Sequence, residues 1–168
     1  MSALGRKRTR PSTVSSGWKA NDVIYFGKDS DKAMNGSENE RTIKQAFDGL
    51  ARGEATAFID AMADEITWQI MGQSRVSSRY EGKAAVQHDL VPTLFANFAT
   101  EYRAYAEEII ANRDRVVVLA RGEVKTVRGE DYNNEYCFVF RMRAGKIVEV
   151  REYCDTALAE ARLRMNPP

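Results

Sequence analysis

The chain has 168 residues, of which 43% are hydrophobic, and its formal net charge is +1. This length is typical of one domain, and the hydrophobic share is large enough for a packed core. A net charge close to zero provides no bulk field that favours nucleic acid or an anionic membrane. No apolar run approaches the ~20 residues that a membrane-spanning helix requires. We therefore expect no nucleic-acid partner, no membrane partner and a cytoplasmic location.

The two cysteines, Cys137 and Cys154, and the single histidine, His88, do not have the spacing of zinc ligands. Free thiols in a reducing compartment are the expected state of such isolated cysteines. The sequence also has no glycine-rich loop of the kind that binds phosphate groups. We therefore expect no metal ion and no cofactor.

The first 37 residues differ from the rest of the chain. They contain seven Lys or Arg and only three Asp or Glu, and they are rich in Ser and Gly. This composition predicts a disordered basic tail over residues 1–37. The cluster GRKRTR (residues 5–10) is also compatible with a nucleic-acid-binding arm, although solvated tails often carry such clusters. The start MSALGRKRTR resembles MSALGQKRT, a start recurrent in predicted soil-bacterial proteins whose reading frames are over-extended, which makes Met34 a candidate first residue.

The ordered part, residues 38–168, begins with three predicted helices. Ser37 can cap the first helix, in which apolar residues recur at i, i+3, i+4 and i+7 up to Gly53. A short second helix has its apolar side around residues 58–62. A third helix is expected from residue 83 towards residue 98, with a kink at Pro92.

Strands dominate the remainder. Residues 65–72 alternate in polarity between the second and third helices, with Trp68 and Ile70 on the same face. Further strands are predicted over residues 102–110 and 116–127, followed by a hairpin over residues 132–155 and a last helix capped by Asp155. Strands grouped beside segregated helices predict an α+β fold with a mostly antiparallel sheet.

The register of the last hairpin follows from its turn. A three-residue loop over residues 143–145, with Gly145 in the left-handed position, would pair Met142 with Lys146. This register places Tyr136 opposite Glu152. The apolar face of the hairpin therefore ends in a phenol and a carboxylate.

The register of the preceding strand has two solutions. A four-residue loop over residues 128–131 places Glu123 opposite Tyr136 and Arg121 opposite Phe138, and this is the register we favour. A slip by one residue would turn Arg121 and Glu123 to the other face. It would bring three small or apolar residues inward instead: Ala120, Gly122 and Val124.

The favoured register predicts a row of Glu123, Tyr136 and Glu152 across three strands. The two carboxylates would lie roughly 9–10 Å apart at the backbone. Two carboxylates in one site push their pKa values apart, which general acid–base chemistry uses, and Arg121 would keep one of them ionised. The alternative is that Arg121, Glu123 and Glu152 are cross-strand ion pairs on a solvated face.

Four segments, TWQIMG, YEGKAAV, GEDYNNEY and above all GKIVEVREYCDT, resemble the SnoaL-like branch of the nuclear transport factor 2-like superfamily. Within it, the chain is most similar to bacterial proteins described as ketosteroid isomerase-related. The resemblance implies a cone-shaped, curved, mostly antiparallel sheet wrapped around three helices, with a deep apolar pocket. It also implies a small apolar organic molecule as ligand and a homodimer formed through the outer face of the sheet.

The resemblance leaves the activity open, because such proteins include isomerases, polyketide cyclases, epoxide hydrolases, dehydratases and non-enzymatic binders. The general base of ketosteroid isomerases matches Ile70, which has no proton to move. The acids of limonene-type epoxide hydrolases match Glu123 and Glu152, with Glu in place of Asp. Their water-orienting Tyr and Asn match Trp68 and Ile70.

These considerations predict a cofactor-free acid–base enzyme of the isomerase, cyclase or hydrolase type, or a non-catalytic binding module with the same pocket. A purely structural dimer with a filled core is a third possibility. The predicted catalytic residues are Glu152, Glu123 and Arg121. The predicted ligand contacts are Tyr136, Trp68, Ile70, Phe138 and Asn134.

Overall fold

The structure is a computed structural model that describes residues 36–165. The predicted disordered tail therefore lies almost entirely outside the described residues, as does the candidate start at Met34. The elements follow in chain order: α1 (Gly36–Ala51), α2 (Thr56–Ala61), β1 (Met62–Ile70), β2 (Arg79–Glu81), α3 (Lys83–Ala85), a π-helical turn (Val86–Leu90), α4 (Val91–Phe95), β3 (Arg103–Asn112), β4 (Arg115–Glu123), β5 (Glu135–Arg143), β6 (Lys146–Cys154) and α5 (Thr156–Arg162).

The six strands form one sheet in the order β2-β1-β6-β5-β4-β3. All neighbouring strands are antiparallel except β1 and β6, which are parallel. Register irregularities interrupt three of the five pairings, and such bulges bend a sheet and increase its twist. The predicted α+β fold with a mostly antiparallel sheet is confirmed. Among residues 36–165, no helix is long and apolar enough to cross a membrane.

The core lies between α1, α2 and the inner face of the sheet. Ile43, Ala46 and Phe47 recur at helical spacing in α1, and all three are buried. Phe47 contacts the rings of Phe58 and Phe140, with centroids 5.9 and 6.2 Å apart. Fully burying a side chain of this size stabilises a fold by about 1.5–3 kcal/mol. The helix ends as predicted, because Gly53 adopts a φ of 82°, which favours glycine.

The third predicted helix is divided into α3, the π-helical turn and α4. In the π-helical turn the backbone N–H of Val91 bonds to the carbonyl of Val86, five residues earlier. Pro92 follows directly and has no N–H to donate to an earlier turn. The irregularity predicted at Pro92 is therefore present as a widened turn just before it. The short strand β2 lies between the strand predicted over residues 65–72 and the third predicted helix, where we predicted no strand.

The hairpin of β5 and β6 closes with a two-residue turn. Arg143 pairs with Lys146, and both Ala144 and Gly145 have positive φ, as a tight hairpin turn requires. The predicted three-residue loop is therefore wrong. A register shift then makes Phe138 the partner of Glu152, and Tyr136 the partner of Cys154. The predicted partners move by two residues, and the predicted faces are retained.

The favoured register of β4 is wrong by three residues, and this odd shift exchanges the two faces of the strand. Ala120 pairs with Tyr136, and Arg121 pairs with Glu135. The inward position belongs to Gly122, where an added Cβ would lie 2.9 Å from the Tyr102 hydroxyl and 3.1 Å from the Tyr136 ring. Two aromatic rings thus occupy the space that a side chain at position 122 would need.

Candidate functional site

An apolar cavity of about 130 Å³ lies between the inner face of the sheet and the helices. Aromatic side chains from three elements form much of its wall. Trp68 in β1 lies close to Phe58 in α2 and Phe138 in β5, with ring centroids 5.8 and 6.4 Å apart. Apolar residues of the π-helical turn and α4 face them across the cavity. The cavity is therefore enclosed mainly by apolar and aromatic side chains of the sheet and the helices.

Glu152 is the carboxylate of the cavity. It lies on the inner face of β6, where Ile70 of the parallel strand β1 is its neighbour. The indole Nε1 of Trp68 donates a hydrogen bond of 2.8 Å to Glu152 Oε2. Burial among apolar walls raises the pKa of Glu152 to about 7, and the Trp68 bond opposes this rise only in part. Glu152 therefore titrates near neutral pH.

Three tyrosine side chains, Tyr102, Tyr136 and Tyr132, lie together at the side of the cavity and are called the tyrosine chain below. The Tyr136 hydroxyl donates to the Tyr132 hydroxyl at 3.4 Å, and Tyr102 lies with Tyr136 beside Gly122. Burial raises the pKa of all three phenols, that of Tyr132 to about 12, and the nearby Glu152 charge adds to the rise. These groups are therefore neutral hydrogen-bond donors across the physiological range.

Asn134 supports this chain from behind. Its Nδ2 donates to the Tyr132 hydroxyl and to the Asp155 carbonyl, both at 3.1 Å, and its Oδ1 accepts from the Asp155 N–H. It is only 1% exposed and does not line the cavity. Asn134, which we predicted to contact the ligand, therefore lies behind the Tyr132 hydroxyl and not on the cavity wall.

Arg121 and Glu123 lie on the outer face of the sheet, away from the cavity. They pair with each other, and Arg121 also lies 3.4 Å from Glu107 and stacks on the Tyr105 ring at 4.6 Å. The predicted row of Glu123, Tyr136 and Glu152 is therefore not formed. Arg121 and Glu123 instead form ion pairs on a solvated face, which was the alternative that we considered.

The other predicted residues all lie on the cavity wall: Trp68, Ile70, Tyr136, Phe138 and Glu152. The prediction missed Tyr102 and Tyr132. Tyr132 could have been found, because it shares the parity of Tyr136 along the chain. Tyr102 precedes its strand by one residue and gives no such signal.

Cys154 also faces the cavity, next to Glu152. Burial, followed by the charges of Glu152 and Asp155, raises the pKa of the thiol to about 12. The thiol is therefore protonated and poorly suited to act as a nucleophile.

The C-terminal segment, residues 156–165, closes one side of the cavity. Asp155 caps α5 by accepting from two backbone N–H groups, as predicted. Beyond the helix, Leu163 and Met165 line the cavity. Asn97 fixes this end, because its Oδ1 accepts from Arg164 N at 2.6 Å and its Nδ2 donates to Arg164 O at 3.2 Å.

The arrangement suits proton transfer to or from a small apolar molecule. A carboxyl that titrates near pH 7 can accept a proton or donate one, and neutral phenols can stabilise charge on an oxygen. Among residues 36–165, no group of three His, Cys, Asp or Glu is placed to hold a metal ion.

Comparisons with known proteins agree with this architecture. The sequence model of the SnoaL-like domain matches residues 43–150, which is more than half of the chain. No curated protein matched. Bal32a from a soil-derived mobile gene cassette is a similar structure, with a TM-score of 0.67 and 18% identity over 77% of this chain and 98% of that one.

Two further structures represent different activities on the same fold. A candidate SnoaL-like polyketide cyclase from Jannaschia sp. CCS1 gives a TM-score of 0.64 at 17% identity, covering 84% of this chain and 100% of the other. An LEH-like epoxide hydrolase from M. tuberculosis gives 0.55 at 16% identity, covering 76% and 90%. At these identities the likeness shows the fold alone.

Proposed function

Because the chain belongs to the SnoaL-like domain family, we propose that it is a cofactor-free acid–base enzyme acting on a small apolar organic molecule. The observation that carries this proposal is Glu152, a carboxyl with a pKa of about 7 on the wall of an apolar cavity. An acid–base catalyst works best when its pKa lies near the working pH. Burial of Glu152 in a low-dielectric environment raises its pKa into this range.

The chemistry would use one carboxyl and the tyrosine chain. Glu152 in its ionised form removes a proton from the substrate, and the electron pair of the broken bond moves towards a substrate oxygen. A neutral tyrosine hydroxyl donates a hydrogen bond to the charge on that oxygen. The proton then returns from Glu152 to another atom of the substrate. Such a cycle favours isomerisation or internal cyclisation over hydrolysis, for which the second acid, Glu123, lies on the wrong face.

A non-catalytic ligand-binding module is the second candidate. Its support is Ile70, an aliphatic residue on the cavity wall at the position that matches the general base of ketosteroid isomerases. Such a module would bind the same molecules in the same cavity and return them unchanged.

Proton exchange separates the two candidates. We would incubate the full chain with enolisable cyclic ketones in D₂O and follow exchange of the hydrogens next to the carbonyl by NMR. If the protein is an enzyme, we expect it to catalyse this exchange. Glu152→Gln should then slow the exchange about 10²–10⁴-fold, the usual contribution of general acid–base catalysis. Glu149→Gln, on the outer face of the same strand, is the matched control. Binding without exchange would support the module.

We also propose that two copies associate through the outer face of the sheet, in the cytoplasm. Leu119 and Tyr153 are 40% and 44% exposed on that face. Arg115 and Arg141 pair at one end of β4 and β5, whereas Glu123 and Glu135 flank Arg121 at the other end and leave that end acidic. Antiparallel stacking of two such faces would place unlike charges together. The cytoplasmic location is supported by the two cysteines, neither of which forms a disulfide.

A further inference from the structure

The charge of the cavity wall restricts the charge of its ligand. Among the described residues that line the cavity, Glu152 is the ionisable carboxyl and none is Lys, Arg or His. An anionic ligand would leave water without gaining a cationic partner, and it would meet the Glu152 charge. The apolar wall therefore favours a ligand that carries no negative charge.

The tyrosine chain has a hydrogen that it cannot place internally. The Tyr136 hydroxyl donates to the Tyr132 hydroxyl at 3.4 Å, and Asn134 Nδ2 donates to the same Tyr132 oxygen at 3.1 Å. Neither partner accepts the Tyr132 hydrogen, because each of them is a donor in its bond to Tyr132. The Tyr132 O–H therefore requires another acceptor. Both end residues, Tyr102 and Tyr132, line the cavity.

The volume limits the size of the ligand. The cavity measures about 130 Å³, and an apolar protein cavity of about 150 Å³ is known to hold one benzene molecule. A single six-membered ring would fit among the rings of Phe58, Trp68 and Phe138. A molecule of four fused rings would not fit without displacing the C-terminal segment.

We infer that the ligand is a neutral molecule of about one six-membered ring with one hydrogen-bond-accepting oxygen, which the spare hydroxyl of the tyrosine chain binds. This inference rests on the proposed function in one respect, because it takes the cavity as the ligand site. It assigns Tyr102 and Tyr132 a role in specificity. The oxygen lies at the tyrosine chain, and the ring extends along the aromatic wall towards Glu152.

The test measures binding of five probes to the full chain by ligand-observed NMR at pH 7. Cyclohexanone has the proposed features, and methylenecyclohexane has the same shape without the acceptor oxygen. Cyclohexanecarboxylate and cyclohexylammonium carry opposite charges, and 2-decalone carries a second ring. We expect cyclohexanone to bind at least tenfold more tightly than each of the others, because a buried donor left without an acceptor is costly.

The double variant Tyr102→Phe/Tyr132→Phe tests the specificity role. We expect it to bind cyclohexanone no more tightly than methylenecyclohexane, while the affinity for methylenecyclohexane stays within twofold of the wild type. Tyr153→Phe on the outer face is the control and should change neither affinity. Circular dichroism and the melting temperature verify that the variants are folded.

Three results would overturn the inference: equal affinity for cyclohexanone and methylenecyclohexane, tightest binding of a charged or two-ring probe, or no binding of any probe. The proposed function fails separately. If cyclohexanone binds as expected but its hydrogens do not exchange in D₂O, the inference stands and the catalytic proposal falls. If a larger or charged compound is turned over through Glu152, the catalytic proposal stands and the inference falls.

Discussion

Glu152 and Glu149 lie on the same strand, yet the two faces of the sheet give them opposite properties. Glu152 faces an apolar cavity with one hydrogen-bond donor, Trp68, and its pKa is raised to about 7. Burial also acts on Glu149, but the Arg151 hydrogen bond and the charges of Arg151, Arg141 and Arg115 outweigh it and lower its pKa. Deep burial without a cationic partner therefore raises the pKa of Glu152, whereas three arginines keep the less buried Glu149 ionised.

The same comparison distinguishes a glutamate that stabilises the sheet from one that is suited to proton transfer. Arg151 and Arg141 lie 2.6 and 3.0 Å from Glu149, and its lowered pKa keeps it ionised near neutral pH. Glu152 lines the cavity, and its raised pKa allows it to bind and release a proton near neutral pH. A carboxyl of the first kind supports the sheet, and one of the second kind is suited to acid–base work.

The largest expected effect is on stability between pH 4.5 and 7. The ordinary pKa of Glu152 is 4.5 and its folded value is about 7, so the unfolded chain loses this proton first as the pH rises. The free energy of unfolding should then fall with rising pH, by up to about 3 kcal/mol over the window. Urea unfolding at fixed protein concentration measures this slope, and Glu152→Gln should flatten it.

Glu149→Gln provides the opposite case. The lowered pKa of Glu149 contributes stability that is present above its ordinary pKa and is lost as the pH falls below it. The variant should keep the wild-type slope between pH 4.5 and 7 and be less stable at neutral pH, where three arginines lose their partner. A Glu152→Gln protein that keeps the slope would show that another group sets it.

The outer face should respond to charge in a way that the inner face does not. If two copies stack antiparallel through this face, Glu123→Lys/Glu135→Lys places like charges against the arginines of the partner. We expect dissociation of the dimer to become about 100-fold easier, measured by analytical ultracentrifugation. Lys44→Glu, on the exposed side of α1, is the control.

A mixing experiment tests this prediction further. The Glu123→Lys/Glu135→Lys variant should associate again when it is mixed with Arg115→Glu/Arg141→Glu, because the charges of the two faces are then complementary. A wild-type chain that sediments as a monomer at all concentrations would remove the dimer proposal altogether.

These contrasts explain what the sequence could predict. Helical and alternating periodicities are local, so the elements and the inner face of β6 followed from them. The turn at Ala144 was missed because a non-glycine residue adopts positive φ there, without the usual Asn-Gly signature. The end of β4 was misplaced because its inward residues are small, and the reason is non-local: the rings of Tyr102 and Tyr136 fill the space beside Gly122.

Opening the cavity to water should lower the pKa of Glu152, so that it stays ionised at neutral pH as Glu149 does. Asn97 is 5% exposed and holds both backbone groups of Arg164. Asn97→Ala should cost about 2 kcal/mol, since it leaves these groups unpaired, and should loosen the C-terminal segment. Water then reaches Glu152, and its pKa should fall towards 4.5. Titration of the side-chain carboxyl by ¹³C NMR measures the shift, and the exposed Asn112→Ala is the control.

The smallest expected effect concerns the hydrogen bond from Trp68, which lowers the pKa of Glu152. The Trp68 Nε1–H favours the ionised carboxylate, and Trp68→Phe keeps an aromatic ring in the wall while removing this donor. A hydrogen bond to a charged group is worth about 1.5–3 kcal/mol, so we expect the pKa of Glu152 to rise by about one unit, measured by the same titration.

Phe58→Leu is the matched control, because it alters the same wall without touching the carboxylate, and its Glu152 pKa should stay near that of the wild type. An unchanged pKa in Trp68→Phe would mean that burial alone sets the protonation of Glu152. The difference between the two glutamates would then lie entirely in the arginines around Glu149, and the indole would serve only as packing.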